Sequence, residues 1–148
     1  MKRTSTPGRS KRWLVVDDNA ALGEVIYLCL GQLDLATVEW YTSAAEALEA
    51  TSFAPDDIEL LVTDCDMPGV GGLELARDLR CSIPMLKVLL VTANHADLTA
   101  AKLVSTGAFA VLPKPFSLKR LEWLVRGAVC ESDIPPWKLH GWHPAFAA

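Results

Sequence analysis

Asp64 closes an apolar, β-branched run, Ile58-Glu-Leu-Leu-Val-Thr-Asp64, and is followed by Cys65-Asp66 and a sharp turn at Met67-Pro68-Gly69. A carboxylate delivered to the edge of a core is costly unless something partners it. Four other polar residues end apolar runs of their own. Asp17 and Asp18 follow Trp13-Leu-Val-Val16, Thr92 follows Met85–Val91, and Lys114 follows Phe109-Ala-Val-Leu112-Pro113. Taken singly, Asp17 or Asp18 reads as a helix cap and Asp64 as a turn former. Brought to one pocket, the three carboxylates repel and some are driven toward protonation. A divalent cation resolves that conflict. Mg²⁺ suits it best, being a hard octahedral ion that takes a few carboxylate or carbonyl oxygens and keeps several waters.

The elements that must position these residues follow from periodicity. Short apolar runs alternate with segments of helical period. After the strand at Trp13–Val16, Asn19 can cap a helix whose Leu22, Ile26, Cys29 and Leu33 share one face. Ala36–Trp40 reads as a second strand, more exposed because polar residues alternate in it. Ser43-x-x-Glu46 is a capping-box pattern opening a helix with Ala44, Ala47 and Leu48 on one side. The Ile58–Thr63 strand leads to a helix from about Gly72 carrying Leu75, Ala76 and Leu79. The Met85–Val91 strand leads to a helix that Asp97 caps and Gly107 closes. Phe109–Leu112 is the fifth strand, and Ser117 starts a last helix with Leu121, Leu124, Val125, Ala128 and Val129. Five near-continuously apolar strands joined by helices predict an α/β fold with a five-stranded parallel sheet covered on both faces. Right-handed crossovers bring every strand's carboxyl end to one edge, where ligands bind in such sheets. All the residues singled out above sit at those ends.

Composition bounds the rest. The 148 residues are 51% hydrophobic with a net charge of −4, which suits one domain with a real core and gives no nucleic-acid-binding surface. Residues 1–10 read as a disordered basic leader, 11–130 as the domain, and 131–148 as an irregular tail containing Pro135, Pro136, Pro144, Trp137 and Trp142. His140-x-x-His143 in that tail lacks further ligands at useful spacing for a metal. No apolar run approaches the roughly 20 residues that span a bilayer, and the polar, basic start is unlike a signal peptide. Cys29, Cys65, Cys81 and Cys130 show no C-x-x-C spacing and read as buried or half-buried reduced thiols. A cytoplasmic location is expected, with no membrane partner.

Asp17-Asp18, Asp64-x-x-Met-Pro-Gly, Val-Thr92-Ala and Leu-Pro-Lys114-Pro-Phe116 resemble, in order and at matching spacing over about residues 11–130, the motif set of response-regulator receiver domains of two-component signalling. The resemblance implies a flavodoxin-like, doubly wound (βα)5 sheet of strand order 2-1-3-4-5. It implies that Asp64 is the phosphoacceptor, taking a phosphoryl group from a phosphohistidine on a sensor histidine kinase or a histidine phosphotransfer protein. It further implies Mg²⁺ held by Asp18 and Asp64 directly, by Asp17 mainly through water, and by the Asp66 backbone carbonyl. Thr92 and Lys114 would contact the phosphoryl oxygens, stabilising charge. A cis Lys114–Pro115 peptide is also expected, a bond where the cis form costs little.

Two positions depart from the pattern that resemblance sets. Val111 stands where the family commonly has the aromatic that swings inward with the threonine, and Phe109 or Phe116 are the aromatics nearby that could replace it. Gly71 stands where an acidic helix cap is frequent, which loosens the start of the third helix. The leading expectation is a stand-alone receiver acting through an unidentified downstream protein, not an enzyme beyond self-catalysed phosphotransfer and dephosphorylation. One alternative is a receiver-shaped interaction protein that is never phosphorylated. Another is a haloacid-dehalogenase-type phosphatase using Asp64-Cys-Asp66 as its D-x-D. That family, however, places D-x-D early and an acidic pair late, the reverse of the order here.

Overall fold

The computed structural model describes residues 2–4 and 11–130. The elements in chain order are β1 (Lys2–Thr4), β2 (Arg12–Val16), α1 (Ala20–Gly31), β3 (Thr37–Tyr41), α2 (Ala44–Thr51), β4 (Ile58–Asp64), α3 (Gly72–Ser82), β5 (Lys87–Thr92), α4 (Ala100–Thr106), β6 (Ala108–Pro113) and α5 (Leu118–Cys130). Single 3₁₀ turns at Pro55–Asp57 and His95–Asp97 precede β4 and α4. The sheet order is β1-β3-β2-β4-β5-β6. Its five parallel strands, β2 to β6, therefore stand in the expected order 2-1-3-4-5, and the sheet is flavodoxin-like.

Alternation along each strand sorts the core into two layers. Trp13, Val15, Leu60, Val62, Leu89 and Val91 pack with Ile26 and Leu30 of α1 and Leu121, Leu124 and Val125 of α5. Leu14, Val16, Leu61, Val88 and Leu90 pack on the other face with Ala47 of α2, Leu75 and Leu79 of α3 and Leu103 of α4. Burying strands on both faces largely removes the alternating polar pattern and favours the strand ends for polar groups.

Several expectations change. Lys2–Thr4, placed in the disordered leader, pairs antiparallel with β3 in the register Lys2↔Trp40, Arg3↔Glu39 and Thr4↔Val38. With its outer edge covered, β3 is buried throughout, against the expectation of a more exposed strand. Its polar residue Glu39 tolerates this because the Arg12 Nε donates to Glu39 Oε2 at 2.7 Å, and a buried charge requires such a partner. Asp97 does not cap α4. It lies in the preceding 3₁₀ turn, and Thr99 Oγ1 accepts from the Lys102 amide instead, while Gly107 ends the helix at φ 67° as expected. The fourth parallel strand starts at Lys87, leaving Met85 82% exposed outside it. Cys29 and Cys65 are half-buried, but Cys81 and Cys130 are exposed. The tail at 131–148, with His140 and His143, lies outside the described residues.

A bulge in β6 settles where the aromatics go. The register with β5 steps from Val88↔Ala108 to Leu89↔Ala110, leaving Phe109 as the extra residue. Phe109 consequently packs with Ala110 and Leu112 in the α1/α5 layer, where Phe116 also packs. Val111 lies in the opposite layer with Leu90 and Leu103.

Candidate functional site: an acidic pocket at the strand ends

The chain leaves β2 at Asp17, whose amide donates to the Tyr41 carbonyl at 3.1 Å. Asp17 Oδ1 accepts from the Asn19 amide at 2.8 Å, and Asn19 Oδ1 caps α1 by accepting from the Leu22 amide at 3.1 Å. Asp17 is 1% exposed, and its Oδ2 is buried without a hydrogen-bond partner. Burial foremost, aided by the charges of Asp64 and Asp18, raises the Asp17 carboxyl pKa. The Asn19 hydrogen bond and Lys114 oppose that rise. Asp18, next along, is exposed at the pocket mouth.

β4 delivers Asp64 beside it. Asp64 is 5% exposed, and its Oδ1 accepts from the Asp66 amide at 3.2 Å while its Oδ2 accepts from Lys114 Nζ at 3.2 Å. The following turn uses Gly69 at φ 76°, a left-handed conformation that favours glycine. Gly72 then brings α3 so close that a Cβ there would overlap the Asp64 carbonyl oxygen. Gly71 supplies no side-chain cap to α3, as its side-chain-free identity requires.

Thr92 ends β5, 1% exposed, with its Oγ1 accepting from the Asn94 amide at 2.9 Å and donating to Asp66 Oδ2 at 3.4 Å. Lys114 follows β6, and its amide donates to the Thr92 carbonyl at 2.8 Å. The Lys114–Pro115 peptide is cis. From there Nζ reaches Asp64 and stands 3.9 Å from Asp17 Oδ2. Ligand oxygens of Asp17, Asp18 and Asp64 all lie within 4.8 Å of one another. The Cys65 thiol, beside them, is pushed up to about 12 by burial first and then by Asp66 and Asp64, so it is held as a neutral thiol.

The expected residues thus converge: Asp17, Asp18, Asp64, Thr92 and Lys114 share one pocket, and Asp66 borders it. The buried Asp17 Oδ2, which has no hydrogen bond, and the all-oxygen donor set fit a hard divalent cation. Val111 is buried in the α2/α3/α4 layer, on the face opposite Phe109 and Phe116, so neither phenylalanine shares its layer. Motif reading gave Asp66 a backbone role only; its side chain also engages Thr92. It gave no role to Tyr41, Asn94 or Gly72, which hold the site through backbone atoms or through space. Of these, only Asn94, two residues after a hydroxyl, carries a local turn signal.

Comparison with known proteins agrees with this geometry. The family model described as Response regulator receiver domain matches residues 13–126. The DNA-binding transcriptional regulator NtrC of Escherichia coli K12 is 38% identical over 116 residues, which are 78% of this chain and 24% of that protein. This chain therefore spans about a quarter of that relative's length. A receiver domain protein from Clostridium thermocellum superposes with a TM-score of 0.71 at 24% identity, covering 82% of this chain and 95% of that one. TrrA, a response regulator of Thermotoga maritima solved in complex with Mg²⁺ and BeF, superposes with a TM-score of 0.67 at 26% identity, covering 80% of this chain and 99% of that one. Five parallel strands in one order, an acidic cluster at their carboxyl ends and a family match over most of the described residues lead to one conclusion: this chain belongs to the response-regulator receiver domain family of two-component signalling.

Proposed function

We propose that Asp64 accepts a phosphoryl group from a phosphohistidine of a sensor histidine kinase or histidine phosphotransfer protein, and that this switches the binding of a downstream protein. In the transfer an Asp64 carboxylate oxygen forms a bond to phosphorus as the phosphorus–nitrogen bond of the donor breaks. The electron pair of that bond returns to the imidazole. The observation that carries the reading is the pairing of Asp64 Oδ2 with Lys114 Nζ at 3.2 Å, beside an Asp17 Oδ2 that is buried without a hydrogen bond.

Asp17, Asp18 and Asp64 would hold Mg²⁺ together with the Asp66 backbone carbonyl. The ion supplies positive charge that neutralises the phosphoryl oxygens and the clustered carboxylates. The protein's own groups do the rest. Lys114 keeps an ammonium against Asp64, ready to pair with the incoming charge, and its amide bond to the Thr92 carbonyl fixes its origin. Thr92 presents a hydroxyl that reaches a phosphoryl oxygen once it leaves Asp66. Its engagement with Asp66 makes the unphosphorylated arrangement a defined state, and phosphorylation shifts the balance away from it. A phosphohistidine donor and thiols kept reduced suit a cytoplasmic setting; among the described residues no helix is long and apolar enough to cross a membrane.

The test is incubation of the chain with Mg²⁺ and acetyl phosphate, followed by intact mass spectrometry. One phosphoryl adduct, stable in acid, lost in base and absent from Asp64→Asn, is expected. No adduct on the native chain would overturn the proposal.

A further inference from the structure

Resting on the reading of Asp17 as a cation ligand, we propose that Trp40 is a positioning residue for that cation site, acting from behind it on the Asp17 backbone and not on the ligand oxygens. Trp40 is the penultimate residue of β3, 7% exposed, and packs in the α1/α5 layer. Its indole lies against Gly23 in the first turns of α1, so close that a Cβ on Gly23 would overlap Nε1 and Cε2 of the ring. Gly23 is helical, so glycine is required there by space and not by backbone conformation. The Gly23 amide donates to the Asn19 carbonyl at 2.9 Å, the bond that joins the acidic loop to α1. Pressing on Gly23 therefore sets the height of the helix start, and with it Asp17-Asp18-Asn19.

The same strand end grips Asp17 by its backbone on both sides. The Tyr41 carbonyl accepts from the Asp17 amide at 3.1 Å, and Trp40 Nε1 points to the Asp17 carbonyl at 3.5 Å. A buried indole N–H must find an acceptor, and here the acceptor belongs to a cation ligand. One carboxylate oxygen of Asp17 is occupied by the Asn19 amide and the other is buried with no hydrogen bond, 3.9 Å from Lys114 Nζ. A side chain so enclosed has little freedom to search for an ion. Its backbone must already be in place, because even a small misplacement at such a centre weakens binding steeply. Trp40 and Gly23 form the matched pair that sets this placement. A large aromatic on β3 is answered by an absent side chain on α1.

The test is a Mg²⁺ titration of the full chain, followed by amide NMR. It compares the native protein with Trp40→Phe, Gly23→Ala and a control, Leu124→Ala, in the same core layer on α5. Trp40→Phe keeps a ring in the notch and loses the N–H. It is expected to shift the Asp17–Asn19 amides before any Mg²⁺ is added and to weaken Mg²⁺ binding about two- to tenfold, the range for one net hydrogen bond. Gly23→Ala, which drives the indole off the helix, is expected to weaken it at least as much. Leu124→Ala lowers the melting temperature and leaves the Mg²⁺ affinity within twofold of native. Equal affinity in Trp40→Phe and the native chain overturns the positioning role while leaving the cation site standing. So does an equal loss in Leu124→Ala, which would make the effect a general loosening. A native chain that binds no Mg²⁺ overturns the cation reading itself.

Discussion

Asp17→Asn should make the metal-free protein more stable, and the terms can be weighed. A carboxylate oxygen of Asp17 lies within 4.8 Å of oxygens of Asp64 and Asp18, and Asp17 Oδ2 is 3.9 Å from Lys114 Nζ. With an effective dielectric of about 20, repulsion from the Asp64 charge is ~3.5 kcal/mol and attraction to Lys114 is ~4 kcal/mol, while the exposed Asp18 charge, screened by water, adds a smaller repulsion. These nearly cancel. What remains is the cost of burying a carboxylate oxygen with no hydrogen bond, roughly 1–3 kcal/mol. An amide in its place removes that charge, so Asp17→Asn should gain about 1–3 kcal/mol in EDTA at pH 7. For a domain of this size each kcal/mol is worth roughly 3–5 °C in melting temperature.

The pH dependence has a definite sign. Burial raises the folded-state pKa of Asp17 above its unfolded value. The native chain is thus relieved of the charge below the unfolded value, and it loses that relief as pH rises through the folded pKa. The advantage of Asp17→Asn should therefore be small in acid and full at neutral pH. Added Mg²⁺ should reverse the ranking, because it stabilises only a protein that binds it. The assay is urea unfolding from pH 4 to 8, with EDTA and with Mg²⁺. An Asp17→Asn protein less stable than native in EDTA at pH 7 would refute the argument.

Lys114→Ala should retain Mg²⁺ binding, seen by titration, yet slow phosphorylation by acetyl phosphate about 10²-fold, the usual loss on removing one charge-stabilising group. Normal phosphorylation and partner switching would remove its assigned role. Gly72→Ala sets a methyl group against the Asp64 carbonyl and should cost about 1–3 kcal/mol in urea unfolding, as overpacking does. Its phosphorylation should slow as well, since the backbone of the acceptor has to move. Arg12→Met leaves Glu39, whose side chain is 3% exposed, without the guanidinium at 2.7 Å. That should cost about 3–5 kcal/mol, while Arg12→Met with Glu39→Leu should recover much of the loss.

The pocket was legible in the sequence because a strand end is a local signal. An apolar run that stops on Asp, Thr or Lys shows where the sheet edge is, and parallel topology gathers those edges. What escaped depends on distant contacts. Glu39 reads as a solvent-facing residue until Arg12, a neighbour only through the sheet, neutralises it. Lys2–Thr4 carries no apolar alternation, and its pairing is through backbone groups that any residue presents. Thr99 and Asp97 are equal as caps by residue type, and only the intervening 3₁₀ turn decides between them. Trp40 and Gly23 are unremarkable apart from each other; their fit exists only in three dimensions.

The bulge at Phe109 has a consequence for how a signal leaves the pocket. By alternation with Val88 and Leu90, Thr92 shares its face of the sheet with Val111, whereas Phe109 is inserted into the other. A side chain cannot pass through a hydrogen-bonded sheet, so no rotation of Phe109 can follow a movement of Thr92. The valine that does face that way has two methyl groups and one stiff torsion. If Thr92 moves on phosphorylation as proposed above, its motion on this side would fall to α4, whose Leu103 packs in the same layer as Val111, and to the hydrogen bond from the Lys114 amide to the Thr92 carbonyl. With Asp64 as the proposed phosphoacceptor, the signal on this face would pass by displacement of whole elements, as a hinge plate moves, and not by the turning of a single key.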